Sequence, residues 1–191
     1  MNLEPLVSET PLDREAIVAH LHTCTPAHLR DVADTLAAVG PRHTVVVVGG
    51  SLLALHGLRR TTVDVDSVRL IDAELRAAIA SVARLRDLAP AWLNDSAAAF
   101  RPSTFDEAEC EELLTQGRLT VLGAPLRQVF VMKLNAARAR DHDDLVVLWQ
   151  ACDFETAEEA VEMYRNAYPH EADDPYLIDF VRGLADLTNR S

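Results

Sequence analysis

Four consecutive valines, Val45–Val48, lead directly into the Gly-Gly-Ser segment Gly49–Ser51. An uninterrupted run of β-branched residues is typical of a strand that is buried on both faces. The apolar residues that come next recur at the spacing of a helix that faces a core. We therefore predict a strand over Thr44–Val48, a tight turn of small residues, and a helix over Leu52–Gly57.

Two carboxylates follow on the next predicted strand, Val63–Leu70. Asp64 and Asp66 are two residues apart, so on a strand their side chains point to the same face. Neighbouring like charges repel unless a cation lies between them, and Mg²⁺, which prefers oxygen ligands and substrate phosphates, suits such a pair. The alternative is an acidic pair on a solvated strand face. We take both residues as candidate catalytic residues and metal ligands.

The Gly-Gly-Ser turn is a candidate phosphate site. Gly49 and Gly50 let the backbone approach a phosphate with no Cβ in the way. Ser51 offers a hydroxyl, and the start of the following helix favours an anion. The alternative is a turn that needs glycine only for its dihedral angles. No Gly-Lys-Ser/Thr follows and the spacing is not Gly-x-Gly-x-x-Gly, which argues against a Walker-type ATPase and a dinucleotide-binding fold.

A second charged group lies in MKLNAARARDHDDL, residues 132–145. Lys133 is the only lysine among the 18 lysine and arginine residues, and lysine contacts a phosphate oxygen as a compact charge where arginine presents a planar fork. A helix–turn–helix corner here would present Lys133 and Asp144 towards a common cleft. Alternatively, Arg138 and Arg140 form ion pairs with the acidic residues of the same segment and cap a helix.

A pair of arginines, Arg59 and Arg60, stands beside the first motif. Two interpretations of this pair remain open: the arginines lie at a solvated helix end, or they bind a phosphate. We take Arg60 as a candidate nucleotide-binding residue.

The rest of the chain predicts an α+β fold, with a small mixed sheet flanked by helices and a helical C-terminal part. We divide it into an α/β core over residues 1–124 and a helical subdomain over 125–191 that completes the cleft. The other predicted elements are two helices between Asp13 and Val39 with Thr25 as an N-cap, a helix over Ile71–Arg86 capped by Asp72, a short strand near Ala98–Arg101, a strand over Arg118–Leu122, and four helices beyond Pro125.

Composition limits the class of protein. A net charge of −12 argues against a general nucleic-acid binder, although a local basic patch remains compatible with a phosphate-rich ligand. The N-terminal residues lack the basic and apolar stretches of a signal peptide, and no apolar run is long enough to cross a bilayer. We expect a cytoplasmic protein with no membrane partner. Cys24, Cys110 and Cys152 are widely spaced, which favours ordinary thiols over disulfides or a zinc site.

The two motifs together resemble bacterial nucleotidyltransferase-like proteins of the AbiEii and MenT toxin group, in the DNA polymerase β-type nucleotidyltransferase superfamily. GGS at 49–51 and HGLRRTTVDVD at 56–66 resemble the family's R-x-T-x-D-x-D region. Lys133 with RARDHDDL at 138–145 resembles its K…R-x-R-D-x-x-D-L region, and AWLND at 91–95 resembles the W-L-N of a smaller branch. The resemblance covers about residues 40 to 168.

The resemblance implies a Mg²⁺-dependent nucleotidyltransferase. Gly50 and Ser51 would hold the triphosphate of a nucleoside triphosphate, Asp64 and Asp66 would bind magnesium, and Lys133 and Asp144 would complete the site. The acceptor in such toxins is a hydroxyl at an RNA 3′ end, typically of tRNA, and a cognate antitoxin restrains the enzyme.

Several alternatives stay open. The spacing from Lys133 to Asp144 is short by about one helical turn, so Asp141 is a second candidate partner of the lysine. A protein or small-molecule acceptor remains open because the chain is acidic. Polymerase-like sites have a third carboxylate on a neighbouring strand, and Arg118–Leu122 contains none. The rival hypothesis is a catalytically impaired nucleotide-binding or regulatory protein with the same fold.

Overall fold

A computed structural model describes residues 26–59, 62, 64–136 and 138–188. It has an α+β fold in which helices flank a five-stranded mixed sheet, as predicted. The strands are β1 (His43–Val48), β2 (Val65–Ser67), β3 (Leu93–Asn94), β4 (Glu111–Gln116) and β5 (Leu119–Gly123). The helices are α1 (residues 26–35), α2 (Gly49–Leu55), α3 (Ala73–Arg86), α4 (Leu126–Ala136), α5 (His142–Ala151), α6 (Ala157–Ala167) and α7 (Leu177–Thr188).

The valine run forms the central strand of the sheet. The strand order is β3-β2-β1-β5-β4, with β1 antiparallel to β2 and parallel to β5. All four valines of Val45–Val48 are at most 2% exposed. A central strand covered on both faces explains why this run does not alternate with polar residues, and the strand prediction is confirmed.

The second strand is shorter than predicted. Val63–Leu70 was expected to be extended, but β2 ends at Ser67, whose hydroxyl accepts from Arg69 N at 3.1 Å and donates to Arg69 O at 2.8 Å. This local side-chain turn takes the backbone groups that a continued ladder would have used. The strand also begins only at Val65, so of the two carboxylates predicted on it β2 carries Asp66, and Asp64 immediately precedes the strand.

One other prediction needs correction, and two strands were missed. The segment near Ala98–Arg101 is not a strand, since Ser96–Phe100 is a 3-10 helix. The strands β3 and β4 were not predicted. β3 has only two residues, and β4 is a mostly exposed edge strand whose sequence, EELLTQ, lacks strict alternation.

The helix predictions are confirmed over the described residues with one correction: the helix predicted over Leu52–Gly57 spans Gly49–Leu55, so Gly49–Ser51 forms its first turn and not a separate turn before it. Asp72 caps α3 as predicted, because its side chain accepts from Leu75 N at 3.0 Å. Helices α4 to α7 pack on one another after β5, as the C-terminal helical pattern indicated. The predicted helix that starts at Asp13 and the Thr25 cap lie outside the described residues, and the division at residue 124 stays a prediction.

Two smaller expectations concern thiols and membranes. Cys110 and Cys152 are free thiols, and Cys24 lies outside the described residues. Within the described part of the chain, no helix has the length and apolar character needed to cross a membrane.

Candidate active site

The glycine turn and the carboxylate strand are in direct contact. Val48 pairs with Asp66 across the antiparallel β1–β2 ladder, and α2 starts at the next residue, Gly49. Gly49 has φ +67°, and a Cβ added to it would lie 3.0 Å from Asp66 Oδ2. The second glycine is equally close to its neighbours, because a Cβ on Gly50 would lie 3.1 Å from Arg59 Nη1. Gly49 therefore needs a residue without a side chain, whereas at Gly50 the neighbour is the end of a flexible arginine side chain that can shift.

Ser51 lies behind the turn. It is 2% exposed, and its hydroxyl donates to the carbonyl oxygen of Val48 at 3.2 Å. In this conformation Ser51 stabilises the turn, and it does not line the cleft beside Gly49 and Gly50. Its assignment as a phosphate donor stays a prediction.

Asp64 and Asp66 both line one cleft. Burial, and then the charge of Asp66, raise the pKa of Asp64 above its usual value, while Thr62, Arg140 and Arg59 lower it to a smaller extent. Asp66 Oδ1 accepts a 3.2 Å hydrogen bond from Ser96 Oγ. The repulsion between the two carboxylates would be relieved by a cation, and Mg²⁺ commonly binds through one or two carboxylates together with substrate phosphates. The residues present thus fit a magnesium ion that arrives with a triphosphate.

The strand beside the carboxylates is β3, not β5. The sequence interpretation looked for a third carboxylate in the segment that forms β5, but β5 pairs with β1. On β3, Asn94 pairs with Asp66 in register. The Asn94 side chain is engaged, since Nδ2 donates to Ala91 O at 3.2 Å and Oδ1 accepts from Ser96 N at 2.9 Å. Among the residues described, no group of three His, Cys, Asp or Glu side chains is arranged to hold a metal.

Lys133 projects from α4 into a buried ion-pair network. Its Nζ donates to Asp141 Oδ1 at 2.7 Å and to Asp144 Oδ2 at 2.8 Å. Asp144 Oδ2 also accepts from Arg59 Nη1 at 2.9 Å. Both candidate partners therefore contact the lysine. They occupy different positions: Asp141 lines the cleft, whereas Asp144 lies behind it and joins Lys133 to Arg59.

The cleft has a volume of about 330 Å³ and two unlike parts. One part is polar and contains the glycine turn, the carboxylates and Lys133. The other is an apolar wall formed by Ala97, Phe100, Val129, Met132 and Ala136.

Arginines supply the positive charge of the cleft. Arg59, Arg138 and Arg140 line it, whereas Arg60 lies outside the described residues. The alternative in which Arg138 and Arg140 pair with nearby acids is wrong, because neither forms an ion pair with any described residue; Arg138 lies over the Phe100 ring at 5.3 Å. The sequence did not identify Ser96 and Phe100 as site residues. The only signal near them was the resemblance of the AWLND segment just before them.

A glycine turn packed against an Asp-x-Asp strand, with a basic helix across the cleft, is the arrangement expected of a nucleotidyltransferase-like protein. The chain belongs to DUF6036, a family described as a nucleotidyltransferase of unknown function, which it matches over residues 27–181. This span contains both motifs and the whole cleft. No curated protein and no solved structure matches the chain.

Proposed function

We propose that this protein is a Mg²⁺-dependent nucleotidyltransferase that moves a nucleotidyl group from a nucleoside triphosphate to a hydroxyl acceptor. The observation that carries the proposal is the contact between Gly49 and Asp66 within one cleft that also contains Asp64 and Lys133. A backbone turn open to phosphate, two adjacent carboxylates and a cation are the parts that phosphoryl-transfer sites combine.

The triphosphate would bind at the polar end of the cleft. Gly49 and Gly50 offer backbone without side chains, and Arg59 lies beside Gly50. Arg59 is held there by Asp144, so its guanidinium is positioned before the ligand arrives. A guanidinium donates two parallel hydrogen bonds to phosphate oxygens, which suits the outer phosphates.

Asp64 and Asp66 would hold the magnesium ion. When bound, the ion would neutralise charge on the phosphates and on the leaving pyrophosphate. Asp141 and Asp144 hold Lys133 Nζ in place and balance its charge, so Lys133 would act on a phosphate oxygen as a positioned hydrogen-bond donor.

The transfer itself balances without a further reactant. The acceptor hydroxyl oxygen forms a bond to the α-phosphorus, the bond from that phosphorus to the bridging oxygen breaks, and pyrophosphate leaves. The hydroxyl proton passes to a carboxylate of the Asp64–Asp66 pair. Burial and the neighbouring charge of Asp66 raise the pKa of Asp64, which makes its carboxylate a stronger base than an ordinary aspartate in the absence of a cation.

For the acceptor we propose an RNA 3′ end, with tRNA as the first candidate, and a role as the toxin of a toxin–antitoxin system in the cytoplasm. The resemblance to the AbiEii and MenT group supports this choice. So does Arg140, which lines the cleft, has no ion-pair partner among the described residues and could contact an RNA phosphate.

A second candidate is a nucleotide-binding or regulatory protein with impaired turnover. The specific observation in its favour is Asn94, an amide at the position on β3 that faces Asp66. An amide is a weaker base and a weaker magnesium ligand than a carboxylate. On this hypothesis the cleft binds the triphosphate but transfers nothing.

A labelling experiment separates the two candidates. The protein is incubated with Mg²⁺, total RNA and each nucleoside triphosphate, labelled either at the α-phosphate or at the γ-phosphate. Transfer of the α-label alone to an acceptor is expected for a nucleotidyltransferase, whereas transfer of the γ-label would indicate phosphoryl transfer and contradict the proposal. Triphosphate binding without transfer of either label would favour the second candidate.

Matched variants show whether the cleft is responsible. Asp66→Asn should reduce transfer by at least about 100-fold, because losing a preorganised charge at a reacting phosphate has an effect of that size. Asp186→Asn makes the same change on the exposed surface of α7 and should leave transfer unchanged. Equal activity of the two variants would show that the activity does not arise in this cleft.

A further inference from the structure

We infer that Phe100 and Arg138 form the nucleobase subsite of the cleft, so that the incoming nucleotide is held by stacking at one end and by its phosphates at the other. This inference rests on the proposed function and adds to it the part of the substrate that the apolar wall binds. Phe100 belongs to neither motif, and Arg138 is the first residue of RARDHDDL, to which the resemblance assigns no role.

The apolar wall of the cleft indicates that the ligand has an apolar part. Phosphates and a metal ion account for Gly49, Gly50, Asp64, Asp66 and Lys133. They do not account for the apolar side chains opposite, which share the same cleft of about 330 Å³. Ligand pockets commonly combine an apolar lining with a few placed polar groups, and a cleft of this size suits a mononucleotide better than a polynucleotide.

Phe100 is the aromatic residue in that wall and is held in place. It ends the 3-10 helix Ser96–Phe100, and its carbonyl oxygen accepts a 2.6 Å hydrogen bond from the Tyr168 hydroxyl. Tyr168 follows α6, so the ring position depends on the C-terminal helices as well as on the sheet. A partly buried aromatic ring with a fixed backbone offers a face for a base at little entropic cost.

Arg138 completes the subsite. Its guanidinium carbon lies 5.3 Å from the centre of the Phe100 ring, and the side chain is exposed at the cleft rim. Across the described residues it has no ion-pair partner, in contrast to Arg59, which Asp144 holds. With the guanidinium over one face of the ring, a base would stack on the opposite face of the ring or on the outer face of the guanidinium, whatever its hydrogen-bonding edges.

The side chains of the apolar wall indicate how the base would be recognised. Its side chains are Ala97, Phe100, Val129, Met132 and Ala136, none of which donates or accepts a conventional hydrogen bond. Binding should therefore depend on the presence of a base more than on its identity.

The test compares ATP with ribose 5′-triphosphate, which lacks only the base, by calorimetry on the full chain with Mg²⁺. Stacking should make ATP bind about 5- to 150-fold more tightly than ribose 5′-triphosphate. Phe100→Leu keeps an apolar side chain but removes the ring, so it should abolish most of this ratio and leave ribose 5′-triphosphate affinity unchanged. Phe100→Tyr keeps the ring and should retain the ratio.

Phe105 provides the matched control. Its ring also lies next to an arginine, with the Arg101 guanidinium carbon 5.0 Å from its centre, but it is outside the cleft. Phe105→Leu should leave the ratio as it is in the unmodified protein.

The outcomes separate this inference from the proposed function. A ratio below about twofold in the unmodified protein, or one that Phe100→Leu does not change, would overturn the subsite while the transfer reaction could still be observed. An intact ratio without label transfer would support the subsite in a protein of impaired turnover. Failure of both ligands to bind would overturn the proposed function and the subsite together.

Discussion

Asp144 joins Lys133 to Arg59: one carboxylate oxygen, Oδ2, accepts from Lys133 Nζ at 2.8 Å and from Arg59 Nη1 at 2.9 Å. The two cations come from distant parts of the chain, α4 and the segment after α2. One acidic side chain therefore places both against the phosphate end of the cleft. This relationship makes Asp144 a positioning residue, whereas Asp141 lines the cleft itself.

Asp144→Ala should weaken both stability and ligand binding. The change leaves buried Lys133 with only Asp141 and leaves Arg59 unpaired, so we expect a loss of about 1–3 kcal/mol in the free energy of unfolding, measured in urea. Triphosphate affinity should fall as well, because Arg59 is no longer held beside Gly50. The control is Asp143→Ala on the same helix turn: Asp143 is fully exposed, and its replacement should change stability by less than about 0.5 kcal/mol. Equal effects of the two substitutions would contradict the positioning role.

Gly49→Ala should reduce Tm and nucleotidyl transfer, whereas the same substitution at Gly57 should reduce Tm alone and by a smaller amount. Gly49 and Gly57 both have positive φ, +67° and +72°, so alanine pays a backbone cost of about 1–2 kcal/mol at either position. Only at Gly49 does the added Cβ meet a neighbour, Asp66 Oδ2 at 3.0 Å; nothing lies within 4 Å at Gly57. Gly49→Ala should therefore lower Tm further and should also reduce transfer, while Gly57→Ala should affect Tm alone. Comparable transfer by the two variants would show that the contact with Asp66 does not matter.

Asp64→Asn should stabilise the protein in the absence of metal and nucleotide. Because the pKa of Asp64 is raised in the folded state, the folded state binds its proton more tightly than the unfolded state does. The Asp64 carboxyl group therefore favours the folded state most at low pH, and its contribution to stability falls as the pH rises from 3.8 through the raised pKa. At pH 7 the substitution removes the charge that is unfavourably buried and is repelled by Asp66. We therefore expect a rise of about 1–4 °C in Tm. The rise should disappear near pH 3, where the carboxyl is protonated in both states, and added Mg²⁺ should stabilise the unmodified protein more than the variant.

Asp72→Ala should cost stability in a pH-dependent manner. Its carboxylate caps α3, and the hydrogen bond from Leu75 N, followed by that of His43, holds its pKa below the usual value. A lowered pKa means that the stabilisation is present above pH 3.8 and is lost as the pH falls through the folded-state value. At pH 7 we expect a loss of about 1 kcal/mol in urea unfolding. Thr156 caps α6 with a hydroxyl that does not titrate, so the cost of Thr156→Ala should be similar at pH 7 and should persist in acid.

Much of the local structure follows from the sequence. The valine run predicts β1 and Asp72 predicts the start of α3, because each of these signals acts within a few residues of the chain, whereas Gly-Gly-Ser, predicted as a turn before α2, forms the first turn of that helix. The two motifs of the candidate site are recognisable for the same reason. The spacing of Asp64 and Asp66 predicted that both face the same side, and both line the cleft, although only Asp66 lies within β2 and Asp64 immediately precedes it.

The tertiary structure decided what surrounds those motifs. Strand pairing placed Asn94 on β3 opposite Asp66, and no local pattern indicates which strand lies beside β2. Packing of α4 and α5 brought Asp141 and Asp144 to the same lysine, and the 3-10 helix after β3 carried Phe100 to the cleft. Asn94 and Asp66 are far apart in the chain, and although Lys133 lies only 8 and 11 residues from its two partners, the geometry of all these contacts depends on register and helix packing that only the folded core defines.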